Sequence, residues 1–197
     1  MTSMNKLRAV FAITALTATS GLSAEAQLVE EVRLGVLQHN ICITTCKNAD
    51  KEDGPNIGGD LVFASPDVLD LILSPRPFIT GSVNTAGATS YGGAGLMWGW
   101  NFAPGWALEP SFAYVIHDGE VDFPFPIGDP RNGPFNEENV IFGSRDLFRT
   151  GLAINRDFGK RWGLQVQYEH LSHGQILGSG RNQGIDNIGL RAYYRFK

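Results

Sequence analysis

Period-two alternation of apolar and polar side chains dominates this sequence. It recurs in eight segments bounded by turn residues, at roughly 31–40, 57–65, 77–86, 90–102, 105–118, 144–156, 160–173 and 184–196. A strand sends successive side chains to opposite faces, so such a run reads as a β-strand with one apolar face. In the seventh segment Trp162, Leu164, Val166 and Tyr168 share one face, and Gly163, Gln165, Gln167 and Glu169 the other. In the eighth, Ile188, Leu190, Ala192, Tyr194 and Phe196 oppose Gly189, Arg191, Tyr193 and Arg195. Several segments reach about 10 residues, the length a tilted strand needs to cross a bilayer.

A secreted sandwich also alternates, with its apolar face toward a core. Two features favour a closed barrel. The apolar face is rich in aromatics, as at the interfacial girdles of membrane barrels. The other face mixes glycine with Gln, Glu109, Arg149, Glu169 and Arg191, which suits the narrow, side-chain-filled interior of an eight-stranded barrel. Glycine is abundant, at 24 of 197 residues, and charged residues make up only 18%. The net charge of −4 argues against a nucleic-acid partner. The expected fold is an all-β, eight-stranded antiparallel transmembrane β-barrel of the bacterial outer membrane. A closed sheet is what satisfies every strand's backbone in lipid.

Residues 1–26 carry Lys6 and Arg8, a short apolar stretch from Ala9 to Leu22, and small residues around Ser23–Ala26. This is the layout of a secretory signal peptide, leaving residues 27–197 as one barrel domain. Short turns at Ala103–Gly105 and Asp157–Lys160 belong on the periplasmic side, as does 66–76, which is expected to hold a helical turn. Outer loops then fall near 41–56, 87–89, 119–143 and 174–183. The 119–143 segment holds four prolines, which prevent regular ladder pairing, and reads first as a solvated loop and second as a lid. Cys42 and Cys46 are the two cysteines. They lack the further ligands a zinc site needs, His39 notwithstanding, so no metal is expected. In an exported protein a disulfide is the favoured reading over two free thiols. It requires 42–46 to be a turn, because in a strand the pair would stand about 13 Å apart. The disulfide is expected to be dispensable for catalysis.

The stretch from Tyr168 to Gly174 holds the chemistry. By parity His170 and Ser172 fall on the outward, apolar face, about 7 Å apart at Cα. Asp186 has the parity of Ile188 and Leu190 and returns to the same rim through the last hairpin. A serine, a histidine and a carboxylate on one external patch form the constellation of an activated nucleophile. Rim residues contacting head groups would show the same spacing, so spacing alone leaves both readings open.

His170-Leu171-Ser172, then Asn182 to Asp186 and the last strand Gly189 to Phe196, resemble the lipid A 3-O-deacylase family. These are the PagL-like acyloxyacyl hydrolases of Gram-negative outer membranes, and Arg33 to Leu37 of the first strand share the likeness. The resemblance implies an outer-membrane serine esterase that removes the 3-O-linked hydroxyacyl chain of lipid A in lipopolysaccharide, at the outer leaflet and without a cofactor. His170 and Ser172 take the places of the family's His-x-Ser pair, and Asp186 that of its downstream acid, often Glu. His173 stands where Asn is common, so His173, Gly174 and Asn182 are the candidate oxyanion donors. The rival functions are a non-enzymatic barrel acting as anchor or adhesin, and an esterase or acyltransferase for another membrane lipid. Oligomeric state is left open.

Overall fold

A computed structural model describes residues 28–44 and 46–196; the expected signal peptide, residues 1–26, lies outside them. The strands are β1 Val29–Gln38, β2 Asn56–Phe63, β3 Arg76–Asn84, β4 Tyr91–Met97, β5 Trp100–Ala103, β6 Trp106–His117, β7 Asp146–Phe158, β8 Trp162–Ser172 and β9 Ile185–Arg195. Each pairs antiparallel with its neighbours, β4 and β5 both pair with β6, and β1 pairs with both β2 and β9. The sheet therefore closes on itself as an eight-stranded barrel.

The fourth barrel strand departs from the continuous run expected at 90–102. It is cut into β4 and β5 at Trp98–Gly99, although the register against β6 is the same on both sides of the gap. The cause lies in the partner strand. Trp98 N–H donates to the Pro110 carbonyl at 3.0 Å, but Pro110 has no N–H to return.

One end of the barrel carries the short connections 64–75, 104–105 and 159–161, the first with a 3-10 turn, Asp67–Ile72. The other end carries the segments 39–55, 85–90, 118–145 and 173–184. The outer surface is apolar between them: Leu34, Ile57, Ile79, Ile116, Leu152, Val166 and Leu190 are all 43% or more exposed. Aromatic pairs gather at the short-turn end, Phe102 with Trp106 and Trp162 with Tyr194.

Val62, Phe78 and Met97 lie in the lumen toward the short-turn end, and Val115, Leu147, Leu171 and Ile185 toward the loop end. A buried ionic network shares the lumen with them. Arg33 pairs with Glu31 and Glu109, Arg191 with Asp60, and Arg149 with Glu169. Glu169 also accepts from Tyr91, Gln167 and Asn187. Each buried charge thus has an opposite charge beside it, the condition under which burial is tolerable. Packing is tight enough that a Cβ on Gly163 would come within 2.1 Å of the Tyr193 ring. The lumen is filled by side chains, as expected for eight strands.

The 118–145 segment is not simply solvated. It carries a short helix, α1 Asn132–Glu138, and a single parallel bridge, Glu120 to Ile141. Val140, Ile141 and Phe142 are fully buried, and Val140 and Phe142 join Leu147, Leu171 and Ile185 in plugging the barrel mouth. The prolines stop ladder pairing where they stand, but the apolar tripeptide after them has a core to enter.

Candidate active site

β8 and β9 form the hairpin that assembles the site. Their register sets His170 opposite Asp186, and Glu169 opposite Asn187. Period two then divides the hairpin into two functions. Glu169 and Asn187 turn inward and hold the lumen network, while His170, Ser172 and Asp186 turn outward.

On the outer face these three residues form one hydrogen-bonded chain. His170 Nδ1 lies 2.8 Å from Asp186 Oδ1, and His170 Nε2 lies 3.1 Å from Ser172 Oγ. With the ring proton on Nδ1, facing the carboxylate, Nε2 presents a lone pair to the serine hydroxyl. That is the polarity a general base needs to draw a proton from Ser172.

Surroundings differ sharply along the chain. The His170 side chain is 26% exposed, whereas Asp186 is fully buried. The cover comes from the segment between β1 and β2, which folds back over β9. Ile41 N–H donates to the Asp186 carbonyl at 2.7 Å, and Asn40 N–H to Asn187 Oδ1 at 3.0 Å. Thr44 places its hydroxyl 2.7 Å from Asp186 Oδ1, and Tyr168 OH donates to the same oxygen at 2.9 Å. Cys42 and Cys46 are joined by a disulfide with Cα atoms 4.2 Å apart, so this part of the loop is a tight turn. Farther along, Glu52 accepts from Thr89 and from Val140 N–H and sits 2.9 Å from His39 Nε2, tying the loop to two others. Burial pushes the Glu52 carboxyl up, but the His39 and Thr89 contacts outweigh it and hold the group below the usual carboxylate range.

Ser172 has unlike flanks. Phe148 of β7 is its cross-strand partner, and that ring packs on Phe112 at 5.1 Å. On the other flank is Gly184. A Cβ there would meet the Leu171 carbonyl at 2.7 Å, His170 Cε1 at 2.9 Å and Ser172 Cβ at 3.3 Å. Glycine keeps that side of Ser172 open. Gly184→Ala is expected to push His170 and Ser172 apart and lower kcat about 10–100-fold, the cost of misplacing reacting groups by around 1 Å. The barrel's heat-modifiable mobility should persist; wild-type kcat would show that the site absorbs the methyl group.

The oxyanion candidates lie on the turn after Ser172. Gly174 has φ +61°. The His173 amide donates to Asn182 Oδ1 at 3.2 Å, and the His173 ring is buried, with Nε2 2.8 Å from the Arg181 carbonyl. His173 and Asn182 are thus brought together, but with the amide already given to the Asn182 side chain.

Thr44 lies against these residues without having been singled out from the sequence, and Tyr168 and Gly184 were read there only as parts of the motif stretches, with no role of their own. Parity put Tyr168 on the outer face. Nothing local ties Thr44 to a carboxylate 142 positions away.

Residues 80–195, more than half of the chain, match the family described as lipid A 3-O-deacylase (PagL). A solved structure of similar fold is the crystal structure of the outer membrane enzyme PagL. The identity is 12%, the TM-score 0.57, and the match covers 83% of this chain and 97% of that one. Designed transmembrane β-barrels align at 9% identity and TM-score 0.47, covering 86% of this chain and 98% of theirs. The Yersinia pestis outer membrane protein Ail aligns at 8% identity and TM-score 0.44, covering 85% and 99%. No curated protein matches the sequence significantly.

Proposed function

The chain belongs to the lipid A 3-O-deacylase (PagL) family, and from that premise we propose that it cleaves the 3-O-acyl ester of lipid A by serine catalysis in the bacterial outer membrane. The observation that carries the residue assignment is the outward-facing chain Asp186–His170–Ser172, with contacts of 2.8 and 3.1 Å. An anchor or adhesin has no use for that alignment.

Ser172 Oγ attacks the ester carbonyl carbon while His170 Nε2 takes the hydroxyl proton. Asp186 accepts from Nδ1–H throughout, which fixes the tautomer and stabilises the imidazolium. The tetrahedral oxyanion is met by amides of the turn holding His173 and Gly174. The His173 amide must leave Asn182 Oδ1 to reach the substrate, a rearrangement that offsets part of the stabilisation a free donor would give. His170 then returns its proton to the departing sugar oxygen, leaving an acyl ester on Ser172. Water, activated by the same imidazole, releases the hydroxy fatty acid.

Substrate reaches the site from the bilayer. The lumen is packed with side chains, whereas Ser172 stands at the loop-rich rim above the apolar surface of Val166, Ile188 and Leu190. An acyl chain laid there exchanges lipid for protein contacts, so its gain per CH₂ falls well below the ~0.8 kcal/mol of withdrawal from water. Lipid A ester bonds lie near the head-group boundary of the outer leaflet, level with this rim when the short turns face the periplasm.

Mass spectrometry of lipid A from cells with and without the protein tests the reading. The expected result is a loss of mass equal to one 3-hydroxyacyl group, with the free acid recovered. Unchanged lipid A beside altered phospholipid would move the activity to another membrane lipid.

A further inference from the structure

The first outer loop does more than cover Asp186. Thr44 is enclosed by the Cys42–Cys46 disulfide and makes three contacts with the carboxylate. Its hydroxyl lies 2.7 Å from Oδ1 and 2.9 Å from Oδ2, and its backbone N–H donates to Oδ2 at 2.5 Å. The same hydroxyl oxygen stands 3.1 Å from His170 Nδ1. A threonine hydroxyl has one hydrogen. Spent on Asp186, it leaves only lone pairs toward Nδ1, so Nδ1 must carry the ring proton. Nε2 is then the basic nitrogen, and it faces Ser172.

We propose that Thr44 is a positioning residue for this hydrolase, holding the Asp186 rotamer and reinforcing the His170 tautomer that Asp186 selects, and that the Cys42–Cys46 disulfide is the clasp that holds it there. The inference rests on the assignment of Ser172, His170 and Asp186 above. It revises the expectation that the disulfide is dispensable for catalysis.

The physical case for the clasp is one of placement. Thr44 is at the exposed tip of a loop, where an unrestrained backbone samples many conformations. Closing a ring around it reduces that freedom. Neighbouring bonds hold the rest of the loop base in register: Ile41 N–H to the Asp186 carbonyl, Asn40 Nδ2 to the Asn48 carbonyl, and Asn48 Nδ2 to the Gly184 carbonyl. The ring is therefore docked on the β9 strand that bears Asp186, and its reduction frees a residue that touches both the acid and the base. An exported chain meets the oxidising surroundings in which the clasp forms.

The test is steady-state deacylation of lipid A by the purified protein in detergent micelles. Thr44→Val keeps shape and backbone N–H but removes the hydroxyl; kcat is expected to fall about tenfold, the scale of one lost hydrogen bond to a charged group, with KM unchanged. Thr44→Ser should restore kcat to within about twofold, which a purely steric role would not require. Dithiothreitol should lower wild-type kcat at least as much as Thr44→Val, and should not affect a Cys42→Ser/Cys46→Ser protein that is already impaired. Heat-modifiable mobility, recorded for every variant, reports the barrel. Wild-type kcat in Thr44→Val, or a change in KM alone, overturns the positioning role. Full kcat after both thiols have become labelled overturns the clasp. Ser172→Ala, assayed alongside, separates these failures from that of the parent assignment: if it stays active, the catalytic reading itself has fallen.

Discussion

Ser172→Ala is expected to abolish lipid A deacylation and leave a folded barrel. Loss of the nucleophile in a serine hydrolase costs about 10⁶-fold in kcat, far below what lipid A mass spectrometry detects. Asp186→Asn should cost about 10⁴-fold, because an amide facing Nδ1 favours the wrong tautomer. Folding should be untouched by the serine change. Ser172 lies at the end of β8 on the outer face, and its hydroxyl bonds to His170, outside the lumen network. Its removal should shift stability by less than about 0.5 kcal/mol, as for other surface changes. Heat-modifiable electrophoretic mobility gives the fold, and the mass spectrum gives the activity. An active Ser172→Ala protein would remove the nucleophile assignment outright.

Glu169→Ala should do the reverse, harming the fold far more than the chemistry. Glu169 precedes His170 in sequence but points the other way, into the lumen, where it is fully buried. Its carboxylate accepts from Arg149, Tyr91, Gln167 and Asn187. Without it the Arg149 guanidinium, 1% exposed, loses its 2.7 Å partner. Removing one member of a buried ion pair costs about 3–5 kcal/mol, since the survivor is left charged and dry. The unfolding midpoint in urea should drop accordingly, while the folded fraction keeps kcat within a few-fold of wild type. An unchanged midpoint would show that the lumen network does not hold the barrel. Glu169→Gln, which keeps an acceptor, should fall between the two. The pair of predictions separates the two faces of one strand.

That separation was legible in the sequence because it depends on local geometry. Period two alone set Glu169 and Gln167 inward and His170 and Ser172 outward, and the antiparallel return of β9 carried Asp186 to the same rim. Strand number was equally local, since each run ends at its own turn residues. The family likeness over the last two strands then attached a chemistry to a pattern that spacing left ambiguous.

Other features came only with the closed barrel. The gap at Trp98–Gly99 arises because Pro110, on the neighbouring strand, lacks a donor; the 90–102 run by itself shows no break. Arg33 is placed against Glu109 by the barrel's curvature, 76 positions apart, and no one-dimensional signal selects that acid over Glu169 or Asp60. The same holds for Val140–Phe142, three apolar residues after a proline-rich loop. They become a plug because the barrel mouth offers Leu147, Leu171 and Ile185 to pack on. Asp186 was readable as an acid on the outer rim, but not as a buried one. Its burial and its Thr44 donors come from a loop 142 positions away. Alternation reports which way a side chain points, because successive residues in a strand share one backbone geometry. Which side chain it meets depends on closing the sheet and folding the loops back, and those contacts exist only in three dimensions.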